Sequence, residues 1–262
     1  MLLHWFYELN LDTLYPLVIA AIAGAAELGS WLGRRNRQGD GPGDDIGTLT
    51  GAALGLLALL LAFSFSIGLA RYDARRDFVV QEANAIGTTV NFGMMLPQPQ
   101  REQVAALLRD YTKVRIGLGV PYDLAKEDRD VARSLELQAQ LWQIANVITA
   151  ADPQSLPAYR FVATLNEMTN IHESRLNALR YHVPDEVMAL LILVAMVALG
   201  FTGYHSALTG ARHRLPTLIM ALTVGFLIML VIDLDRPSRG LILVPAQALL
   251  DAAASIPKTG TP

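Results

Sequence analysis

The sequence predicts an all-α membrane protein with four transmembrane helices, arranged as two hairpins on either side of a helical extramembrane insert. Three observations predict this class. Of the 262 residues, 52% are hydrophobic and only 17% are charged, and the mean hydropathy is +0.33, which is unusual for a soluble domain. The apolar residues gather in four stretches of about 20, the length that crosses the hydrocarbon core. The polar stretch between the second and third of them shows helical rather than strand periodicity.

The first two apolar stretches predict the first hairpin, with spans at residues 14–33 and 46–70. The first span contains a single charge, Glu27, and the second contains none before Arg71. A charge inside a span suggests proton or cation handling, but Arg34 follows Glu27 closely, and pairing at the interface is the simpler explanation. Turn-forming residues mark the link between the spans: Gly39, Gly41, Pro42 and Gly43.

The last two apolar stretches predict the second hairpin, with spans at residues 187–208 and 215–232. A proline and two acids precede the third span, as suits a helix N-terminus: Pro184, Asp185 and Glu186. The fourth span is followed by charged residues that would form either a cation site or an ion-paired helix end: Asp233, Asp235 and Arg236.

The stretch between the hairpins, residues 71–185, is the predicted insert. Its first helix continues the second span, because one apolar face persists beyond the span: Val79, Ala83, Ile86 and Val90. The next proline is Pro97. We therefore expect one uninterrupted helix from about Ile46 past Arg71.

Three further helices are predicted in the insert from apolar residues at helical spacing. One stripe comprises Val104, Leu107, Leu108, Tyr111, Val114 and Leu118, and the next comprises Leu137, Leu141, Ile144 and Ile148. The last helix is predicted to begin with Asp152 as its cap and Pro153 in its first turn, and its apolar side carries Phe161, Leu165, Met168 and Leu179. The chain thus divides into residues 1–70, 71–185, 186–236 and a C-terminal tail at 237–262.

Small residues recur every four positions in the first hairpin. Ala25, Gly29 and Gly33 do so in the first span, and Gly47 and Gly51 begin such a series in the second. Small residues at this spacing let helix backbones approach closely in lipid. They indicate either packing within the first hairpin or contacts with other subunits and a pore axis.

The series in the second span leads to candidate pore residues. Continuing the four-residue step gives Gly55, Leu59 and Phe63, with Ser66 one turn further on. A ring of such apolar side chains around a symmetry axis can gate ions by dewetting. Considered alone, Phe63 would be a residue that faces lipid or the protein core.

The sequence carries no catalytic or metal-binding pattern. The absence of cysteine excludes thiolate metal ligands and a cysteine nucleophile, and no phosphate-binding, dinucleotide-binding or hydrolase motif occurs. His172 follows Met168 by one helical turn on an apolar stripe, which is typical of a buried histidine rather than a ligand. The net charge of −3 lacks the basic stripe of a nucleic-acid-binding protein. We expect no enzyme activity, no cofactor, no metal and no nucleic-acid partner.

A family resemblance is carried by three stretches. They are LLALLLAFSFSIGLARYDARRDFVVQEANAIGT at the end of the second span, LNEMTNIHESRLNALR before the third, and VIDLDRPSRGLILVP after the fourth. In order and spacing, over about residues 47–250, the chain resembles the bestrophin-like family of bacterial membrane proteins. That family is more distantly similar to true bestrophins.

True bestrophins are pentameric anion channels whose second membrane helix lines the pore, so the resemblance implies a homo-pentamer that passes small anions such as chloride. The Arg–aromatic pair that ends the pore helix corresponds to Arg71 and Tyr72, with Arg71 at the pore mouth. The narrow neck falls on Gly55, Leu59 and Phe63, although bestrophins carry a bulky side chain where this chain has Gly55. Their calcium-binding acidic segment has only a partial counterpart after the fourth span.

We therefore expect a homo-oligomeric, anion-conducting channel in the lipid bilayer, with the second span of each subunit around the axis. The alternative is a non-conducting membrane sensor or scaffold whose insert binds a partner or ligand. Basic residues are nearly balanced between the short loops and the insert side of the spans, so they do not decide the orientation. The family analogy implies a multi-pass protein of the inner (plasma) membrane, with the insert and both termini in the cytosol.

Overall fold

A computed structural model describes the chain over residues 11–36, 44–118, 124–209, 214–236 and 240–257. These residues form eight α-helices, and the expected all-α class is confirmed. The helices are α1 (Leu11–Arg35), α2 (Asp44–Gly93), α3 (Gln100–Gly117), α4 (Leu124–Ala151), α5 (Leu156–Arg180), α6 (Asp185–Leu208), α7 (Arg214–Asp235) and α8 (Gln247–Ser255). The glycine-rich link after the first span and the turn after the third lie outside the described residues.

The chain divides into two structural units, each with its own hydrophobic core. The first unit contains Met1–Arg71 and His182–Arg236, and the second contains Tyr72–Tyr181 and Pro237–Pro262. Helix α2 is shared by the two units, since Arg71 and Tyr72 are consecutive residues within it. The first unit therefore holds α1, α6, α7 and the start of α2.

Four helical segments of the described chain are long and apolar enough to cross a membrane. They contain the four predicted spans, so the chain is a multi-pass membrane protein. Within the first unit, α1 packs mainly against α6 and also against α7. Buried aliphatic side chains join these helices, among them Leu14, Ile22, Leu191, Ala195 and Ile228.

Close approach of α1 to α6 depends on glycine. A Cβ on Gly29 would lie 2.0 Å from the carbonyl oxygen of Gly200, and one on Gly203 would lie 2.1 Å from that of Ala26. A Cβ on Gly33 would meet the carbonyl oxygen of Tyr204 at 2.5 Å. The backbones are thus in direct contact, which is the packing mode that small residues permit in lipid.

The second unit is a helical bundle formed by the end of α2 with α3, α4, α5 and α8. Its core is a single cluster that includes Ile86, Leu108, Leu141, Phe161 and Leu249. Leu249 belongs to α8, so part of the predicted C-terminal tail is a helix that packs into this core and contacts α3.

The predicted continuous helix is confirmed. Helix α2 extends over 50 residues from Asp44 to Gly93 without interruption. Its end is set by two features. A Cβ on Gly93 would lie 2.7 Å from Cγ1 of Val104 in α3, and Pro97 follows four residues later. The chain can therefore turn back at this point and place α3 against α2.

The predicted start of the last insert helix was wrong. Helix α4 ends at Ala151, and Asp152 forms a turn in which its Oδ1 accepts the N–H of Gln154 at 3.1 Å. The helix α5 begins at Leu156 instead, with Ser155 as the N-cap that accepts the N–H of Ala158. Asp152-Pro153 and, three residues later, Ser155-Leu156-Pro157 both resemble a helix start. The second is used, with Pro157 in the first turn of α5.

Candidate functional site

The four candidate pore residues lie on one exposed face of α2. Gly55, Leu59, Phe63 and Ser66 follow each other at steps of four, four and three residues, which keeps them on one side of the helix. Within the subunit Leu59 is 52% exposed and Phe63 is 60% exposed. The other side of α2 is buried, as Leu57 and Ser64 show, each 3% exposed.

The small residues of the second span differ from those of the first in their surroundings. No atom of the described residues lies within 4 Å of a Cβ built on Gly51 or on Gly55. Gly47 lies near α6, where its built Cβ is 3.4 Å from Cε1 of His205. Gly29 and Gly33 of the first span contact α6, as described above. The glycine face of α2 is therefore open over Gly51 and Gly55.

The acids at the end of α7 are used within the first unit. Asp233 accepts a hydrogen bond from the hydroxyl of Tyr15 at 2.6 Å. Both carboxylate oxygens of Asp235 accept the backbone N–H of Val183 at 3.0 Å, and His182 Nδ1 lies 3.8 Å from Oδ2 of Asp235. The Asp233 bond joins α7 to α1, and the Asp235 contacts join α7 to the residues before α6. Among the described residues no cluster of three or more histidines and acids could hold a metal ion.

A buried polar cluster occupies the core of the second unit. It is centred on Glu82 of α2, and each of its six residues is at most 5% exposed: Glu82, Tyr111, Arg115, Gln138, His172 and Arg175. Arg115 Nε donates to Glu82 Oε1 at 2.6 Å, and Arg175 Nη1 donates to Oε2 at 2.5 Å. Arg115 Nη2 adds a third guanidinium bond to Oε2 at 3.3 Å. The cluster thus ties α2 to α3 and α5.

Tyr111 links the ion pairs to the two remaining members of the cluster. Its hydroxyl donates to Glu82 Oε1 at 3.0 Å and lies 3.1 Å from Nδ1 of His172. The amide of Gln138 in α4 donates to the same hydroxyl at 3.4 Å. Four helices therefore meet through one phenol.

The ionisation states of the cluster follow from burial and from the two guanidinium groups. Burial alone would raise the pKa of Glu82, but Arg115 and Arg175 outweigh it and hold that pKa below its usual value. Burial, reinforced by the neighbouring Arg115, lowers the pKa of His172 to about 4. Burial and the Glu82 charge raise the pKa of the Tyr111 hydroxyl. At neutral pH the cluster therefore holds one carboxylate, two guanidinium groups, a neutral phenol and a neutral imidazole.

The predicted burial of His172 is confirmed, whereas the burial of Glu82 and Arg115 was not predicted. The positions of Glu82 and Arg115 in the sequence nevertheless indicated that they are buried. Glu82 falls on the apolar face that Val79 and Ile86 define, and Arg115 follows Tyr111 by one helical turn on the stripe of α3. A charge at a core position of an amphipathic helix needs a buried partner, because an isolated buried charge is costly.

Comparison with known proteins identifies the family. Residues 20–249 match the model of the family described as Bestrophin-like domain. No curated protein sequence matches the chain. A mutant bacterial bestrophin homologue from Klebsiella pneumoniae superposes with a TM-score of 0.67 at 15% identity, over 90% of this chain and 99% of that chain.

Two further solved structures show the same likeness. A bacterial bestrophin homologue from Klebsiella pneumoniae, phased with zinc, gives a TM-score of 0.66 at 14% identity, over 92% of this chain and 99% of that one. A crystal structure described as a membrane protein gives 0.63 at 14% identity, over 95% and 100%. At such identities the likeness concerns the fold. Together with the family match over most of its length, it establishes that the chain belongs to the Bestrophin-like family.

Proposed function

We propose that the protein is the subunit of a homo-oligomeric ion channel that conducts small anions such as chloride, with α2 lining the pore. Membership of the Bestrophin-like family supports this proposal, because true bestrophins are pentameric anion channels with that arrangement. The single observation that carries it is the open face of α2, with Gly51, Gly55, Leu59 and Phe63 unpacked within the subunit.

An open glycine face is unusual for a helix side that meets lipid only. Lipid-facing positions are filled by large apolar side chains, whereas small residues concentrate where helices approach each other. Gly29 and Gly33 have such a neighbour in α6, but Gly51 and Gly55 have none among the described residues of the subunit. A second subunit or a pore axis would account for them.

A symmetric oligomer could form the aqueous path that one subunit lacks. Four mostly apolar helices cannot readily enclose an aqueous path alone, whereas a ring of identical subunits around an axis can. Leu59 and Phe63 would then form a hydrophobic constriction that gates by dewetting. Ser66 and Arg71 both follow this constriction along α2, and the Ser66 hydroxyl and the Arg71 charge would favour anions on its C-terminal side.

The proposed membrane and orientation rest on the four spans and on the family analogy. The protein would reside in the inner (plasma) membrane with four spans. By analogy with bestrophins, the insert and both termini would face the cytosol. No catalytic role is assigned, in keeping with a channel family.

Ion flux from liposomes that contain the purified protein tests the proposal. We expect chloride flux above that of empty vesicles, and we expect Phe63→Ala to increase it or alter its gating. Phe226→Ala is the matched control, because Phe226 lies in α7 and is 58% exposed, against 60% for Phe63. Its substitution should leave the flux unchanged if only α2 lines the pore.

Two results would contradict the proposal. Vesicles with verified protein insertion that pass no ions would favour the non-conducting sensor or scaffold. Equal changes for the two phenylalanine variants would indicate a general effect of membrane packing and remove α2 from the pore.

A further inference from the structure

The buried cluster of the second unit carries an unbalanced charge. Glu82 supplies one negative charge, while Arg115 and Arg175 supply two positive ones, and all three residues are at most 5% exposed. Tyr111, Gln138 and His172 complete the cluster as neutral groups. The pore proposal does not use any of these residues. An excess buried charge is stable only when something pairs with it.

The hydrogen bonds within the cluster leave Glu82 fully occupied. Its carboxylate accepts from Tyr111, from two nitrogens of Arg115 and from Arg175, which amounts to four bonds. A carboxylate has about four acceptor positions. Glu82 therefore cannot accept a further hydrogen bond from either arginine.

The hydrogen bonds of Tyr111 assign the tautomer of His172. The hydroxyl proton of Tyr111 goes to Glu82, because a bond to a charged acceptor is the stronger one. The Tyr111 oxygen must then accept from His172 Nδ1, which therefore carries the ring proton. In neutral His172 the other nitrogen, Nε2, is an unprotonated acceptor.

Two buried nitrogen atoms remain outside this network. Arg115 Nη1 and His172 Nε2 have no hydrogen-bond partner among the described residues, and both side chains are fully buried. Both side chains lie beside Tyr111: the guanidinium carbon of Arg115 is 6.0 Å from the ring centroid of Tyr111, and the imidazole centroid is 6.2 Å from it. Buried polar atoms of this kind are rare and call for a ligand.

We propose that this cluster is a binding site for one small monovalent anion, of the size of chloride or bromide, with Arg115 Nη1 as its donor. The anion pairs directly with the guanidinium group of Arg115 and accepts hydrogen bonds from its unpartnered Nη1. The site belongs to the second unit alone, and it does not depend on the proposed pore.

Anion binding at this site is coupled to protonation of His172. The lone pair on neutral Nε2 repels an anion, whereas a protonated Nε2 donates a hydrogen bond to it. Binding a proton and an anion together adds no net charge to the buried cluster. The groups that act on His172 are Glu82 of α2, Tyr111 and Arg115 of α3, Arg175 of α5 and the uncharged Gln138 of α4. Of these, only Glu82 favours the imidazolium electrostatically. The negative charge of a bound anion acts in the same direction.

Anomalous scattering from crystals of the full-length protein soaked in sodium bromide gives the direct test. We expect a bromide peak within hydrogen-bond distance of Arg115 Nη1, stronger at pH 5 than at pH 7.5. Water density alone at that place at pH 5, under saturating bromide, would overturn the proposal.

Thermal unfolding of the full-length protein in detergent provides a second test. Bromide should stabilise the protein relative to gluconate, a much larger anion. The apparent Kd for bromide should rise by up to about tenfold for each pH unit of increase between 5 and 7. Arg115→Lys keeps the charge but removes Nη1 and should abolish the bromide effect. Arg133→Gln, at an exposed arginine, should retain it.

The melting temperatures of the native protein in bromide and in gluconate test the anion site even if Arg115→Lys does not fold. Equal melting temperatures in bromide and gluconate at pH 5 would exclude the site. A bromide effect that is identical at both pH values would exclude the coupling to His172. Neither result concerns conduction, so failure here is distinguishable from failure of the pore proposal.

Discussion

Glu82 and Arg115 form an ion pair that is completely buried, with Arg115 Nε 2.6 Å from Glu82 Oε1 and neither side chain exposed. The two residues lie in different helices, and Arg175 from a third helix binds the second oxygen of the same carboxylate. One carboxylate thus holds two buried cations. A buried ion pair adds little net stability by itself, but breaking it leaves charges that water cannot reach.

Glu82→Gln should therefore destabilise the second unit strongly. We expect the free energy of unfolding to fall by about 3–5 kcal/mol, the range for removing one partner of a buried pair. The measurement is denaturant unfolding of the detergent-solubilised protein, followed by circular dichroism. Glu136→Gln is the control, because its pair with Arg133 is 48% and 63% exposed and should contribute less than about 1 kcal/mol. Similar losses of unfolding free energy for both variants would show that the buried pair contributes no more to stability than the exposed pair.

The fold class and the long helix could be predicted because their signals are local. Hydropathy over about 20 residues identifies a span, and an apolar face that continues from Val79 to Val90 carries α2 past the membrane. The buried cluster could not be assembled in the same way. Glu82 and Arg175 are 93 residues apart, and periodicity does not state which helices meet.

The small residues of the first hairpin also show what sequence spacing cannot predict. Their spacing predicts a close helix contact, but it does not name the partner. Gly29 meets Gly200 of α6, whereas the open face at Gly51 and Gly55 has no neighbour among the described residues. The sequence pattern is alike in both helices, and only the arrangement of the chain separates the two uses.

Gly29→Ala should disrupt the packing of α1 against α6. The new Cβ would lie 2.0 Å from the carbonyl oxygen of Gly200, and backbone cannot move aside as a side chain can. We expect a loss of at least about 2 kcal/mol, the scale of overpacking in a rigid core. Gly24→Ala is the matched control in the same helix, since nothing in the described part of the chain lies within 4 Å of its Cβ, and it should change stability by less than about 1 kcal/mol. Thermal aggregation followed by size-exclusion chromatography measures both, and equal stability of the two variants would contradict the close contact.

His172 should make stability depend on pH in a buffer that contains gluconate and no halide. Its pKa is about 4 in the folded protein and about 6.5 in the unfolded chain, so between these values only the unfolded state binds the proton. Stability must then fall as the pH falls from 6.5 to 4, by up to about 1.4 kcal/mol per pH unit. His172→Phe should remove this part of the slope in gluconate buffer. The contribution of Glu82 is common to both proteins and cancels in the difference.

Bromide should reduce the same slope in the native protein, because a bound anion favours the protonated imidazole. Denaturant midpoints at half-unit steps of pH supply the comparison. Parallel pH profiles for the native protein and His172→Phe would mean that the imidazole remains protonatable in the folded state.

Arg71 should influence ion selectivity if α2 lines the pore. It follows Phe63 by eight residues, about 80° around the helix axis, and is only partly buried in the subunit. Asp73 follows Phe63 by ten residues, about 80° in the other direction, and is exposed. The two side chains carry opposite charges, so neutralising each one in turn asks which charge the permeating ions encounter. A cation at the pore mouth raises the local concentration of anions and lowers that of cations.

We expect Arg71→Gln to lower the chloride-to-sodium permeability ratio, with the larger effect at low ionic strength because salt screens exposed charges within about 10 Å at 0.1 M. Asp73→Asn, the matched neutralisation, should leave the ratio nearly unchanged. Reversal potentials in planar bilayers under a salt gradient measure the ratio. If Asp73→Asn shifts the ratio and Arg71→Gln does not, the charge that ions meet is acidic, and the conducting pore selects cations.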